Sequence, residues 1–368
     1  MAMSGGVDSS VAAARLVAEG HDVVGVTLHL WDYPADASAR SRCCAPEDIH
    51  DARRVADRLK IPHYAFDRRE LFRREVVDPF VESYLGGTTP SPCVRCNRGV
   101  KLTELFGLAD RLDASFVATG HYARIGGDRA EPYLMRARDR GKDQSYFLHM
   151  VGAAALRRLR FPLGDATKAE VRAEARALDL PGADKGESQE LCFVPSGGYG
   201  AFVAGAAAER TRPGPIVDAA GRTVGEHAGI HGFTIGQRRN LGVAIGERAY
   251  VVGIEPETAT VRLGAREALA RRGALLAELS LAPGVSLPLR CEVAVRYRGQ
   301  TTLADISAST PGRARVTFVD DVSAVVPGQY AVFYRGERVL GGGVITAALA
   351  APTAPEAPPE APTEEVTA

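Results

Sequence analysis

Met1-Ala2-Met3-Ser4-Gly5-Gly6-Val7-Asp8-Ser9-Ser10 opens the chain, and its reading decides the fold. Two glycines let the backbone approach an anion closely, the serines add hydroxyl donors, and an alanine- and valine-rich helix expected from about Ser9 to Glu19 aims its free N–H groups and positive dipole end at the same point. Ser4, Gly5, Gly6, Val7, Ser9 and Ser10, with Met3 ahead of them, thus read as a phosphate loop. Asp8 is the odd member. A carboxylate beside a phosphate repels it unless a divalent cation lies between, so Asp8 reads as a magnesium ligand next to a pyrophosphate. Neither Gly-x-x-x-x-Gly-Lys-Ser/Thr nor Gly-x-Gly-x-x-Gly occurs here. The plain alternative is a glycine turn with a serine or Asx cap ahead of an ordinary helix.

Such a loop belongs at the carboxyl end of a parallel strand, yet only Met1 and Ala2 precede it. A late start is therefore expected, with the central strand cut short. Downstream, Asp22–Leu30 is a β-branched apolar run, Ala45–Leu59 reads as a helix, Pro62–Phe66 as a strand, Leu71–Leu85 and Val100–Leu112 as helices, and Phe116–Thr119 as a strand. Lys168–Leu178 follows as a helix capped by Thr167. The alternation predicts an α/β, doubly wound parallel-sheet domain over residues 1–203 whose ligand lies where Gly120-His121-Tyr122 follows a strand. Residues 204–270 are rich in glycine and β-formers and read as a small, mostly β module. Short alternating strands from about Leu279 onward predict a C-terminal β-barrel over 271–347. Residues 348–368 are Pro/Ala/Glu-rich and read as a disordered tail.

At 368 residues the chain is too long for one small core. Lys plus Arg and Asp plus Glu both total 45, so any nucleic-acid surface has to be local rather than a matter of net charge. Arginine clusters at Arg68-Arg69, Arg73-Arg74, Arg157-Arg158, Arg238-Arg239 and Arg296–Arg298 each read singly as solvated faces. No run of about 18 apolar residues occurs, and a soluble, cytoplasmic protein away from membranes is expected. In a reducing compartment its cysteines are poor candidates for structural disulfides.

Cys93-Val94-Arg95-Cys96 sits in the proline-bracketed stretch Thr89-Pro90-Ser91-Pro92. Two cysteines at this spacing can bind a metal, form a redox pair or simply pack. A structural zinc site wants four ligands, and no second pair at suitable spacing is present. Cys192, in Glu190-Leu191-Cys192-Phe193, reads equally as a small buried hydrophobe.

The opening loop resembles that of the PP-loop ATP pyrophosphatases. Together with Thr89–Asn97, Ala118–Tyr122, Lys142–Leu148, Glu190–Phe193, Gly229–Leu241 and Gly341-Gly342-Gly343, in that order, the chain resembles the tRNA-specific 2-thiouridylases over nearly all its length to Ala347. The resemblance implies ATP- and magnesium-dependent replacement of the 2-oxygen of the wobble uridine, U34, by sulfur in tRNAs for lysine, glutamate and glutamine. It implies adenine contacts at Leu28 and Gly120. Cys192 would carry a persulfide received from a cysteine desulfurase or sulfur-relay protein, and Cys96 would attack it, leaving a Cys96–Cys192 disulfide for a reductant to reopen. Arg95 or Lys142 would favour the thiolates. Cys93 departs from the aspartate that some relatives carry as a proposed general acid or base. With it, Cys93, Cys96 and Cys192 could instead hold a [4Fe–4S] cluster.

Ser91, Pro92, His121, Lys142, Asp143, Gln144, Arg238, Arg239, Arg296, Tyr297 and Gln329 would contact the tRNA, and the protein would act as a monomer. His121 also reads as an ordinary loop histidine bonded to backbone, and Lys142–Gln144 as a polar turn. A PP-loop enzyme acting on a small acceptor, or a noncatalytic tRNA-binding relative, are the alternatives.

Overall fold

The computed structural model of the chain describes residues 1–32, 46–183, 191–195, 197–243 and 248–350. The Cys43-Cys44 pair, Glu190 and residues 351–368 of the expected tail lie outside this set.

The N-terminal domain is built on parallel strands β1 (Gly25–His29), β2 (His63–Asp67), β3 (Val117–Ala118) and β6 (Leu159–Arg160). β1 pairs with β2 and β3 with β6, both in parallel. The missing centre of this sheet is the start of the chain. Met3 N–H donates to Val26 O (2.8 Å) and Val26 N–H to Met1 O (2.9 Å) on one side, while Ala2 N–H donates to Ala118 O (2.8 Å) on the other. Residues 1–3 thus splice two half-sheets into one, in the order β2, β1, residues 1–3, β3, β6. The strand expected to be cut short is short, yet it is hydrogen-bonded on both edges.

Helices α1 (Val7–Ala18), α2 (Pro46–Leu59) and α5 (Lys168–Ala177) cover one face, through Val11, Ala13, Val55, Val171 and Ala175. Helices α3 (Asp78–Leu85) and α4 (Leu102–Arg111) cover the other, through Phe80, Leu105 and Leu108 against Val26, Leu28 and Val117. α5 begins in a reciprocal capping box, Thr167 Oγ1 accepting from Glu170 N–H and Glu170 accepting from Thr167 N–H, as its sequence predicts. The stretch read as one helix over Leu71–Leu85 is a four-residue helix at Arg69–Phe72, a π-turn at Arg73–Val77, then α3. Pro79 in its first turn suits a fresh helix start better than a continuous interior.

A hairpin of β4 (Arg124–Gly126) and β5 (Tyr133–Met135) leaves this domain sideways. The central module has a four-stranded sheet in the order β8 (Thr223–His227), β7 (Gly214–Val217), β10 (Thr260–Gly264), β9 (Tyr250–Glu255), with a core of Ile216, Val251, Val261 and Leu263. It is joined to the first domain by α6 (Gly198–Ala206).

The C-terminal strands are β11 (Ala270–Leu281), β12 (Leu289–Ala294), β13 (Thr302–Ala308), β14 (Ala314–Ser323), β15 (Tyr330–Arg335) and β16 (Arg338–Leu349). β11 pairs with both β14 and β16, closing a six-stranded barrel. Two expectations change here. Strands begin at Ala270 rather than near Leu279, because the helix-prone run Ala270–Leu281 is captured by partners on both edges, where pairing overrides propensity. The barrel also continues through Leu349, two residues into the stretch read as tail. β16 continues past the barrel to pair with β5 at Arg338 and Met135.

Candidate active site

Gly6 caps α1 without any side-chain hydrogen bond, so the first-turn N–H groups face the loop's concavity. Gly5 sits at φ +71°, against the Asp48 backbone, where a Cβ would collide. Ser9 and Ser10 hydroxyls both donate to Gly6 O (2.9 and 3.0 Å), and Ser4 N–H donates to Ser9 Oγ (3.1 Å), so the serines first shape the loop. Met3 is buried beneath it and Leu28 lies at the carboxyl end of β1, 7% exposed. Gly120 packs flat on the loop's helix: a Cβ there would lie 2.9 Å from Ser9 N and 3.0 Å from Asp8 C. Backbone cannot yield as a side-chain tip can. Gly120→Ala is therefore expected to displace the start of α1 and weaken nucleotide binding about tenfold or more, with tRNA affinity unchanged, as measured by titration calorimetry with ATP.

Asp8 is more engaged than its sequence suggested. Its Oδ1 accepts from Tyr122 OH (2.7 Å), and Lys168 Nζ lies 2.7 and 2.8 Å from its two oxygens. Lys168 is 8% exposed and occupies the first turn of α5, where the helix dipole disfavours a cation. Asp8 supplies the compensating charge. Sequence reading missed Lys168 and the Tyr122 hydroxyl; a lysine directly after a capping threonine was the signal available. A magnesium ion held by one carboxylate and completed by phosphate oxygens suits Asp8, which would share its charge between the ion and Lys168.

Tyr122 also connects this loop to the polar stretch Lys142–Gln144. Its N–H donates to Gln144 Oε1 (2.9 Å) and its carbonyl accepts from Gln144 N–H (2.8 Å). Asp143 accepts from Ala137 N–H (3.0 Å) and from the Ser145 N–H and hydroxyl (3.1 and 3.0 Å), so its carboxylate organises the turn that presents Lys142 and Gln144. His121 Nδ1 is 2.7 Å from Thr119 Oγ1, and burial pushes its imidazole down to about 3, leaving it neutral near pH 7.

The cysteine loop packs against the segment that follows the polar turn, where Asn97 Nδ2 donates to Phe147 O (3.4 Å). Pro92 is buried; Ser91 and Cys93 are half-buried. Cys96 is 5% exposed and opens a π-turn, Cys96–Lys101, leading into α4. Cys192 borders the same hydrophobic cluster as Cys96. Its neighbour Phe193 is wedged edge-on among Phe72, Phe80 and Phe202 at 5.0–5.6 Å, which fixes the chain on which Cys192 rides. Arg95, offered above as a thiolate-stabilising charge, faces Glu278 of the barrel at 3.7 Å. Among the described residues no three His, Cys, Asp or Glu side chains gather into a metal-holding set.

The remaining candidates sit further out. Arg238, Arg239 and Arg296 are exposed, and Tyr297 packs on Phe147 at 4.3 Å. Arg68, Arg69, Arg73, Arg74 and Arg158 are all paired with carboxylates, in keeping with solvated faces. Gln329 does not point to open surface. Its Nε2 donates to Thr89 O (2.9 Å) and reaches Pro90 O (3.3 Å), engaging the cysteine loop rather than solvent. No helix among the described residues is long and apolar enough to cross a membrane.

A glycine–serine phosphate loop at the carboxyl edge of a five-strand parallel arrangement, followed by two β modules, defines a HUP-type PP-loop protein with a C-terminal barrel. Residues 1–196 match the tRNA methyl transferase HUP domain, residues 201–265 the tRNA methyl transferase PRC-barrel domain and residues 276–345 the aminomethyltransferase β-barrel domain. The chain is 61% identical over 354 residues to the tRNA-specific 2-thiouridylase MnmA of Sorangium cellulosum, covering 95% of this chain and 92% of that one. The corresponding proteins of Methylorubrum populi and Rhodospirillum centenum are 49% and 46% identical, over 94% and 98% of this chain and 92% and 94% of theirs. The chain belongs to the tRNA-specific 2-thiouridylase family.

Proposed function

We propose that this protein is a tRNA-uridine 2-sulfurtransferase that uses ATP to convert the wobble uridine, U34, of the lysine, glutamate and glutamine tRNAs to 2-thiouridine, releasing AMP and pyrophosphate. The observation that carries the reading is Tyr122, which ties Asp8 of the phosphate loop to Gln144 of the polar turn, so one residue couples the place for ATP to a place for the flipped base. The methyl transferase wording of the family models has no counterpart in the loop. A sulfonium methyl donor carries no phosphate for Ser4–Ser10 to hold.

The uracil 2-oxygen attacks the α-phosphorus of ATP, making the poor leaving group a phosphate ester; the α1 N–H groups and Lys168 stabilise the charge on the departing pyrophosphate. Magnesium at Asp8 would neutralise further charge on that group. The terminal persulfide sulfur on Cys192, supplied by a cysteine desulfurase or sulfur-relay protein, then bonds to C2 and AMP leaves. Cys96 thiolate attacks Cys192 Sγ, the S–S bond breaks toward the base, and a Cys96–Cys192 disulfide remains for a thiol reductant.

Lys142, Gln144 and His121 would grip the target nucleotide with Ser91 and Pro92, while Arg238, Arg239, Arg296 and Tyr297 would hold the backbone. In this division residues 1–203 bind ATP and catalyse, 204–270 form the central tRNA-binding module and 271–347 the barrel, acting as a cytoplasmic monomer.

The test is incubation with unmodified tRNA, ATP, magnesium and a sulfur donor, with 2-thiouridine quantified by mass spectrometry. Absence of 2-thiouridine, with AMP formed only on a small acceptor, would replace this reading by the small-molecule one. Iron and sulfide analysis of anaerobically purified protein tests the cluster alternative.

A further inference from the structure

Thr89-Pro90-Ser91-Pro92 cannot hold itself in place. Each proline lacks an N–H and drives the residue before it toward extended backbone, so the segment has carbonyls to satisfy and few donors with which to build a turn. Apart from Val94 N–H, which donates to Ser91 O (3.3 Å), most of its backbone hydrogen bonds come from the barrel. Thr89 N–H donates to Pro327 O (2.9 Å), and Gln329 Nε2 donates to Thr89 O (2.9 Å) and Pro90 O (3.3 Å). Gly328, at φ +92°, lets the two backbones meet; a Cβ there would lie 2.7 Å from Thr89 O. The barrel turn is itself pinned to β16, Gly328 N–H donating to Ile345 O (2.9 Å) and Ile345 N–H to Gln329 O (2.8 Å). Further along the same loop, Arg95 meets Glu278 of β11 at 3.7 Å. The central module joins at the same point, where Thr89 Oγ1 lies 3.3 Å from Thr234 Oγ1.

We propose that the Pro327-Gly328-Gln329 turn is a clamp by which the barrel sets the position of the Cys93–Cys96 loop, with Gln329 a positioning residue. The clamp stands on these contacts alone. Its importance for sulfur transfer rests on the function proposed above. Two residues separate the clamped Pro90 carbonyl from Cys93, and Pro92 between them is buried, so displacement at Pro90 passes to the cysteines. Because the barrel also packs on the first domain through Tyr146 OH, which donates to Tyr330 O (2.9 Å), the turn next to Tyr330 has a fixed base from which to hold the loop.

Two variants test this: Gln329→Met keeps the side-chain length without the amide donors, and Gln329→Glu places a carboxylate against two carbonyls. In the full-length protein without tRNA, iodoacetamide labelling of Cys93 and Cys96, mapped by peptide mass spectrometry, is expected to quicken about tenfold in Gln329→Met and more in Gln329→Glu, the loss of two hydrogen bonds to the loop. Labelling of Cys291, buried in the barrel, serves as the control and stays at the wild-type rate. In thiolation assays kcat falls while the KM for tRNA stays constant. Unchanged labelling of Cys93 and Cys96 overturns the clamp, as does a raised KM for tRNA with kcat intact. The labelling result stands even if the protein thiolates nothing, so the clamp and the proposed function can fail separately.

Discussion

Cys192→Ser is expected to reduce 2-thiouridine formation by at least about a thousandfold while AMP and pyrophosphate release on tRNA stays within about twofold of wild type. A serine hydroxyl accepts no sulfane sulfur, so the persulfide never forms. Adenylation is untouched because it is assigned to the phosphate loop, whose Asp8 is held by Tyr122 and Lys168. Phe193, held by its aromatic neighbours, keeps the backbone at residue 192 where it was, so the effect is chemical rather than structural. The assay is liquid chromatography of tRNA digests alongside pyrophosphate release. Thiolation at the wild-type rate would remove Cys192 from the reaction.

Asp8→Asn is expected to lower adenylation about a hundredfold and to leave tRNA affinity within about threefold of wild type. The ion pair with Lys168 adds a second effect that the sequence alone did not suggest. Asparagine removes one counter-charge of the buried ammonium, and the melting curve should report a loss of about 2–3 kcal/mol, less than for a fully buried pair because the Asp8 side chain is 34% exposed. The two effects separate in the double variant Asp8→Asn with Lys168→Met, where the buried ammonium is gone as well. Stability should largely return while adenylation stays low. Collapse of tRNA binding with adenylation intact would contradict the assignment of Asp8 to the nucleotide.

The alternation of strands and helices was legible because most elements of the first domain carry their own period: α5 begins at its capping threonine, and α2 and β2 fall within a residue of their expected bounds. What was not legible came from pairing between segments far apart in the chain. Residues 1–3 make a strand only because β1 and β3 flank them, and Ala270–Leu281 is extended because β14 and β16 pair with both its edges. The β4–β5 hairpin is too short and glycine-rich to stand out. The site divides in the same way. Ser4–Ser10 and the cysteine pair announce themselves by residue type. Lys168 looks like any surface lysine until the fold brings Asp8 to it, and the bond from Gln329, singled out by resemblance for tRNA, to Pro90 appears only in the fold.

The alignment of β16 with β5 carries a consequence for how the molecule comes apart. The largest hydrophobic cluster contains Leu134 and Tyr146 of the first domain together with Val332, Tyr334 and Val339 of the barrel, so no seam of solvent divides them. Heating should therefore melt catalytic domain and barrel in one cooperative calorimetric transition rather than two, and a shortened chain ending before Ala270 would present the open edge of β5 and an apolar scar to neighbouring molecules.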